Sequence, residues 1–329
     1  MKRLIQAGAL SLAFLSLSSQ VEIPNENPAK TYSTPVKTPE QAELVELTPK
    51  IEPSKNIFAP ENQFSHLESE SSGSELEQRV IQIGKNLPKE YNLSWIIYDL
   101  KAEEKLVSIN ADEPMQCASM FKPFVALAYF HELKKGRLQY NQQDNLTAMI
   151  KYSNNKATNE MIRLIGGIEN VQSILTKNYG DIFRQTKLVE EIPEEGRAYK
   201  NKASANDYLR FLYALWHHQL PYSQEILALM ALPNNDMIKS KTNLPKSVSV
   251  YDKGGSTGLL TGDYGIVVFD EQNKQRHPYI FIGIIERNVE GFEKPGFKVS
   301  DKEFYAFRNR SVSSLRRISE IVYLWMSAR

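Results

Sequence analysis

The chain has 329 residues, 41% of them hydrophobic and 24% charged, which is long and apolar enough to bury a full-sized core. Its 40 basic residues nearly balance 39 acidic ones, and a net charge of +1 argues against nucleic acid or an anionic membrane surface as a partner. The single cysteine, Cys117, excludes an intramolecular disulfide.

Lys2 and Arg3 precede an apolar run from Leu4 to Leu17, and Ser16-Leu17-Ser18 offers small residues for cleavage. The run is too short and wrongly flanked for a membrane helix, so residues 1–18 read as a secretory signal peptide. That sends the product to the periplasm or the exterior of a bacterial cell. No cysteine follows the run to carry a lipid, and no other stretch is apolar enough to span a bilayer. No stable membrane span is therefore expected after cleavage. Residues 19–73 are rich in Pro, Glu, Ser, Thr, Asn and Lys without a period, which predicts a flexible tether.

Residues 74–329 carry the periodic patterns. Ser74 and Glu77 have capping-box spacing, and Leu76, Val80, Ile83 and Leu87 form a helical stripe stopped by Pro88. Leu93 to Leu100 and Leu106 to Ile109 read as strands joined by a short turn, hence an antiparallel hairpin. A helix is expected to start in the stretch Cys117-Ala118-Ser119-Met120-Phe121-Lys122-Pro123-Phe124, with Pro123 in its first turn. Further helices are expected at Asn145 to Tyr152, Lys156 to Ile165 (closed by Gly166-Gly167), Ile168 to Asn178, Asn206 to His218 and Ser223 to Leu232. Strands return at Ser247 to Tyr251, Tyr264 to Phe269 and Tyr279 to Glu286, and a last helix places Leu315, Ile318, Val322 and Trp325 on one face. The order predicts an α+β fold. An antiparallel sheet of about five strands, flanked on one face by the N- and C-terminal helices, comes from residues 74–118 and 245–329. An inserted all-helical part spans residues 119–244, with the active site in the cleft between the two.

Ser119 and Lys122 stand three apart, so their side chains share one face of a turn. A serine hydroxyl needs a base to become nucleophilic, and a lysine serves if burial and neighbouring cations keep it neutral. Alone the pattern is weak. Ser-x-x-Lys is expected about once or twice by chance in such a chain, and Ser153 to Lys156 is a second copy. Cys117, two residues before Ser119, reads as a buried small hydrophobe. His217-His218 shows no third ligand for a metal site. Lys253-Gly254-Gly255-Ser256-Thr257-Gly258 lacks the ending of a phosphate-binding loop.

Three motifs nonetheless stand in order: Ser119-Met120-Phe121-Lys122, Ser153-Asn154-Asn155 and Lys253-Gly254-Gly255. The set resembles the Ser-x-x-Lys, Ser-Asp-Asn and Lys-Thr-Gly motifs of class A β-lactamases and penicillin-binding proteins, over about Ser74 to Arg329. The resemblance implies a β-lactamase-like fold with Ser119 as nucleophile, Lys122 as its base and Ser153 as proton relay to the leaving nitrogen. Asn155 and Lys253 would hold substrate and tune Lys122, with Gly255, Ser256 and Thr257 lining the carboxylate site. The Ser119 and Ser256 amides would form the oxyanion hole. Asn154 and Gly254 replace the family's Asp and Thr. In the family a loop glutamate activates the deacylating water; aligning on Leu188 and Pro193 puts Ile192 at that position. Glu190 and Glu191 remain as candidate deacylation bases.

Three readings follow. The first is a secreted serine hydrolase that turns over β-lactams. The second is a penicillin-binding D-Ala-D-Ala peptidase or transpeptidase that deacylates slowly on peptidoglycan stem peptides. The third is a decayed wall-binding protein. No cofactor or metal is called for, and a monomer is expected.

Overall fold

A computed structural model of the chain describes residues 64–68, 73–194, 198–270, 275–290, 292, 297 and 299–329. The signal peptide expected at residues 1–18 and most of the expected tether lie outside the described residues.

The framework is a sheet of five antiparallel strands. They are β1 (Tyr91–Asp99), β2 (Glu104–Ile109), β5 (Ser249–Asp252), β7 (Leu260–Asp270) and β8 (Arg276–Arg287), in the order β2-β1-β8-β7-β5. A two-residue strand, β6 (Gly255–Ser256), pairs with the start of β7. Both faces of the sheet are covered, so β7 and β8 are almost continuously buried. Trp95, Ile97, Phe281, Ile285 and Val267 face α1 (Glu75–Lys85) and α8 (Asp301–Ser327), packing with Leu76, Val80, Leu315, Ile318 and Val322. Ile96, Tyr98, Ile280, Ile282 and Ile266 face the helical insertion. A β-carbon on Gly283 would stand 2.2 Å from the Trp95 ring and 2.6 Å from Leu315, so only glycine lets Trp95 and α8 close over β8 here.

Side-chain hydrogen bonds set the ends of the elements. Asp99 Oδ1 accepts the Lys101 and Ala102 amides and closes the β1–β2 turn. Ser74 caps α1 by accepting the Glu77 amide, while Glu77 Oε2 accepts the Ser108 amide of β2. The capping pair thus also fastens α1 to the sheet. At α8 the pattern closes on itself, Ser300 and Glu303 bonding each other's backbone amides.

The insertion holds α2 (Lys122–Lys134), α3 (Gln143–Ile150), α4 (Asn155–Ile165), α5 (Ile168–Tyr179), α6 (Ala205–Trp216) and α7 (Ser223–Met230). Helix α2 is its axis and is buried from Lys122 to Glu132. Phe124 on α2 packs against Phe183, Tyr208 and Phe211 with ring centroids 4.8–5.3 Å apart. Among the described residues, no helix is long and apolar enough to cross a membrane.

Three expectations need correction. Ser119 does not begin an α-helix: it lies in a 3-10 turn, Ala118–Phe121, and α2 starts at Lys122, because Ala118 is left-handed (φ 44°) and breaks regular winding. The insertion is not wholly helical. Lys202–Ala203 (β4) pairs with Met115–Gln116 (β3), a ribbon too short to leave a period in the sequence. The expected tether also ends sooner than residue 73, since residues 64–68 are docked. Phe64 and Leu67 are buried, the Phe64 ring lies edge-on to Tyr213, and Glu68 pairs with Arg184.

Candidate active site

Ser119 is half-buried in its turn, which is held from three sides. The Cys117 amide donates to the Asn201 carbonyl at 2.8 Å, and the Tyr264 hydroxyl of β7 donates to the Met120 carbonyl at 3.0 Å. On the third side, a β-carbon on Gly255 would lie 2.7 Å from the Ser119 amide nitrogen. A side chain at 255 would therefore press on that N–H. Cys117 is fully buried, which pushes its thiol up to about 12 and leaves it inert, as expected.

Lys122, one turn on, has 0% exposure. Three oxygens surround its Nζ: the Ser153 carbonyl at 2.6 Å, Asn155 Oδ1 at 2.9 Å and Ser153 Oγ at 3.2 Å. Burial first, and the charge of Lys253 second, press its pKa down to about 6. At neutral pH it is an amine. Its two N–H bonds satisfy the Ser153 carbonyl and Asn155, and its lone pair meets the Ser153 hydroxyl at 3.2 Å.

The second motif does two jobs at once. Asn154 caps α4, accepting the Ala157 amide at 2.9 Å. That fixes Ser153 in a left-handed conformation (φ 53°) and Asn155 in the first turn, with both polar groups on Lys122. The family's Asp is thus replaced by an equally good cap.

Lys253 follows β5 and is 4% exposed. Its Nζ donates to Ser153 Oγ at 3.2 Å and to the Gly254 carbonyl at 2.7 Å. One hydroxyl is therefore shared by two lysines drawn from residues 122 and 253. The Lys253 and Thr257 amides donate across to the Tyr264 and Leu260 carbonyls of β7. By strand alternation the Ser256 N–H between them points away from β7, and the neighbouring Gly255 lies against the Ser119 amide. Ser256 itself is half-buried. Thr257 is placed differently from expectation: its Oγ1 accepts the Leu259 and Leu260 amides and latches the turn, with the side chain buried.

The two loop carboxylates expected as deacylation bases are engaged elsewhere. Glu190 Oε1 accepts the Lys200 amide at 2.9 Å, and Glu191 forms a two-pronged pair with Arg163. Next in the chain is Ile192, which the alignment on Leu188 and Pro193 puts where the family has its glutamate. Asn159 of α4 clamps its backbone on both sides, accepting the Ile192 amide at 3.0 Å and donating to its carbonyl at 2.7 Å. The Ile192 side chain is 5% exposed. Asn201 pins the preceding residues through the Val189 and Glu190 amides. Neither asparagine was singled out as a clamp from sequence; their only signal is an amide side chain at a helix face and in a polar loop. The His217 ring lies tilted against Tyr213, with ring centroids 4.2 Å apart. Among the described residues no group of three or more His, Cys, Asp or Glu side chains is placed to hold a metal ion.

Comparison with known proteins agrees with this geometry. A family model described as the beta-lactamase enzyme family matches residues 75–144 and 139–323. The β-lactamase ROB-1 of Haemophilus influenzae is 27% identical over 219 residues, covering 55% of this chain and 67% of that protein. Among solved structures, a mutant of PBP-A in an acyl-enzyme complex with penicillin G superposes with a TM-score of 0.58 at 20% identity, over 77% of this chain and 97% of that one. A representative class A β-lactamase from Bacteroides cellulosilyticus gives a TM-score of 0.60 at 18% identity, over 79% and 100%. At such identities these structures speak for the fold.

Proposed function

The chain belongs to the beta-lactamase enzyme family, serine hydrolases acting on the amide bond of β-lactams, and from that premise we propose that Ser119 becomes acylated. Lys122 Nζ takes the Ser119 proton as Oγ bonds to the carbonyl carbon. The resulting oxyanion is held by the Ser119 and Ser256 N–H groups; losing one such donor typically costs about 10²–10³ in rate. The C–N bond then breaks as Ser153 passes its proton to the leaving nitrogen, and the Lys122 ammonium restores that proton. Lys253 offers its charge to the substrate carboxylate. The observation that carries this reading is the single Ser153 hydroxyl held at 3.2 Å by both Lys122 and Lys253. An intact relay of this kind speaks against a decayed wall-binding protein.

A second feature favours slow deacylation. An aliphatic residue, Ile192, stands at the sequence position where the resemblance implies the water-activating glutamate, and Glu190 and Glu191 are bound to Lys200 and Arg163. We therefore favour a penicillin-binding peptidase acting on D-Ala-D-Ala stem peptides over a fast β-lactamase, and we propose export to the periplasm or exterior. Mixing the pure protein with a chromogenic cephalosporin and following colour and mass decides. One equivalent of colour with a lasting adduct on Ser119 is expected. Sustained turnover would select the lactamase, and no adduct at all would sink acylation itself.

A further inference from the structure

Directly behind Lys253 the sheet buries two carboxyl groups. Side chains alternate along a strand, so while Lys253 reaches the cleft, Asp252 points to the α8 face. Asp252 pairs with Gly265 across β5 and β7, which puts Asp263 diagonally beside it on the same face. Asp252 is 3% exposed and Asp263 0%. Each has one satisfied oxygen: Asn234 Nδ2 donates to Asp252 Oδ1 at 3.1 Å, and the Met237 amide donates to Asp263 Oδ2 at 2.7 Å. The remaining oxygens, Asp252 Oδ2 and Asp263 Oδ1, are buried and met by no N–H. Two carboxyls in such contact need a proton between them.

The charges around the pair fix how many protons it holds. The other titratable groups that act on it are Asp236, with Lys253 and Tyr264 through the sheet, and Lys239 lines the cavity beside Asp252. Asp236 already receives the Ile238 and Ser240 amides. Burial lowers the Lys253 pKa while Asp252 and Asp263 push it back up, and its hydrogen bonds go to neutral oxygens, on Ser153 and Gly254, so the pair is the source of its countercharge. A fully ionised pair would bury an excess negative charge, and a fully protonated one would leave Lys253 uncompensated. One proton is the balanced number. A cavity of about 490 Å³, lined by Asn234, Asp236, Lys239 and Asp252 among others, reaches Asp252 without passing Ser119 or Ser153.

We propose that Asp252 and Asp263 share one proton and act as positioning residues, holding Lys253 protonated while substrate fills the cleft. The proposal rests on the acyl-transfer reading for its effect on rate, but the shared proton can be read without it. In accord, burial raises Asp252 to about 7 and also pushes Asp263 up. A β-carbon on Gly254 would lie 3.1 Å from the Met237 methyl and 3.3 Å from the Asp263 carboxyl, so glycine leaves this side of the pair uncrowded.

Infrared difference spectra and the pH profile of acylation by a fluorescent penicillin test this. At pH 7 the parent should show a protonated-carboxyl band that Asp263→Asn and Asp252→Asn each remove. Either single amide keeps one negative charge, so the alkaline midpoint of acylation should stay in place. The double variant has none, and its alkaline midpoint should move at least one pH unit lower. Thermal melts establish that each variant folds. Absence of the band in the parent, or a parental alkaline midpoint in a folded double variant, would overturn the proposal. A parent that shows the band yet takes no penicillin would defeat the acyl-transfer reading and leave the shared proton standing.

Discussion

At the scale of single residues, the site depends on Lys122 being uncharged. An ordinary lysine titrates near 10.4; here burial, helped by Lys253, brings the value to about 6. The sign is direct: above that value the amine is free to accept the Ser119 proton, and below it the base is already occupied. Acylation by a fluorescent penicillin should accordingly be flat from about pH 7 upwards until the alkaline limb. Below about pH 6 it should fall tenfold per unit. A rate unchanged between pH 5 and 8 would assign the base to another group.

At the scale of elements, α4 organises both halves of the chemistry. Its cap, Asn154, sets Ser153 and Asn155 on Lys122, and one turn along Asn159 grips the backbone of Ile192. The loop backbone is therefore fixed at Ile192, whose side chain is buried and carries no carboxylate. Ile192→Glu should convert the lasting adduct into turnover, shortening its lifetime by at least tenfold in a mass-spectrometric time course. Glu190 is the alternative source of a base. If Glu190 already served, Glu190→Gln would slow adduct loss and Ile192→Glu would change little.

At the scale of the molecule, the sheet is a partition. One face carries α1 and α8, the other the helical insertion, and the groups proposed to be catalytic gather where β5, β6 and the turn before α2 meet. The partition is thin at Gly283, where Trp95 and Leu315 leave no room for a β-carbon. Gly283→Ala forces these groups apart and should cost about 1–3 kcal/mol, read as a lower guanidinium midpoint. At a temperature where the variant stays folded, acylation should remain near the parental rate, because the strain lies on the α8 face. A loss of acylation equal to that of a Lys122 variant would show that the two faces are not independent.

Period and spacing are local properties, and they determined much of what this chain is. The stripe Leu76, Val80, Ile83 and the buried runs of β7 and β8 announced helix and sheet, and three short motifs announced Ser119, Lys122, Ser153, Asn155 and Lys253. What spacing could not carry were the contacts among groups distant along the chain. The docking of Phe64 on Tyr213, the latch role of Thr257 and the Asn159 clamp on Ile192 appear only when such segments meet. The charge states belong to the same class. Lys122 is neutral because residues 31 to 33 positions away shut it from water, and Asp252 meets Asp263 only because β5 lies against β7. A sequence states which ionisable groups exist; the dielectric around them, and hence their charge, is a property of the folded interior.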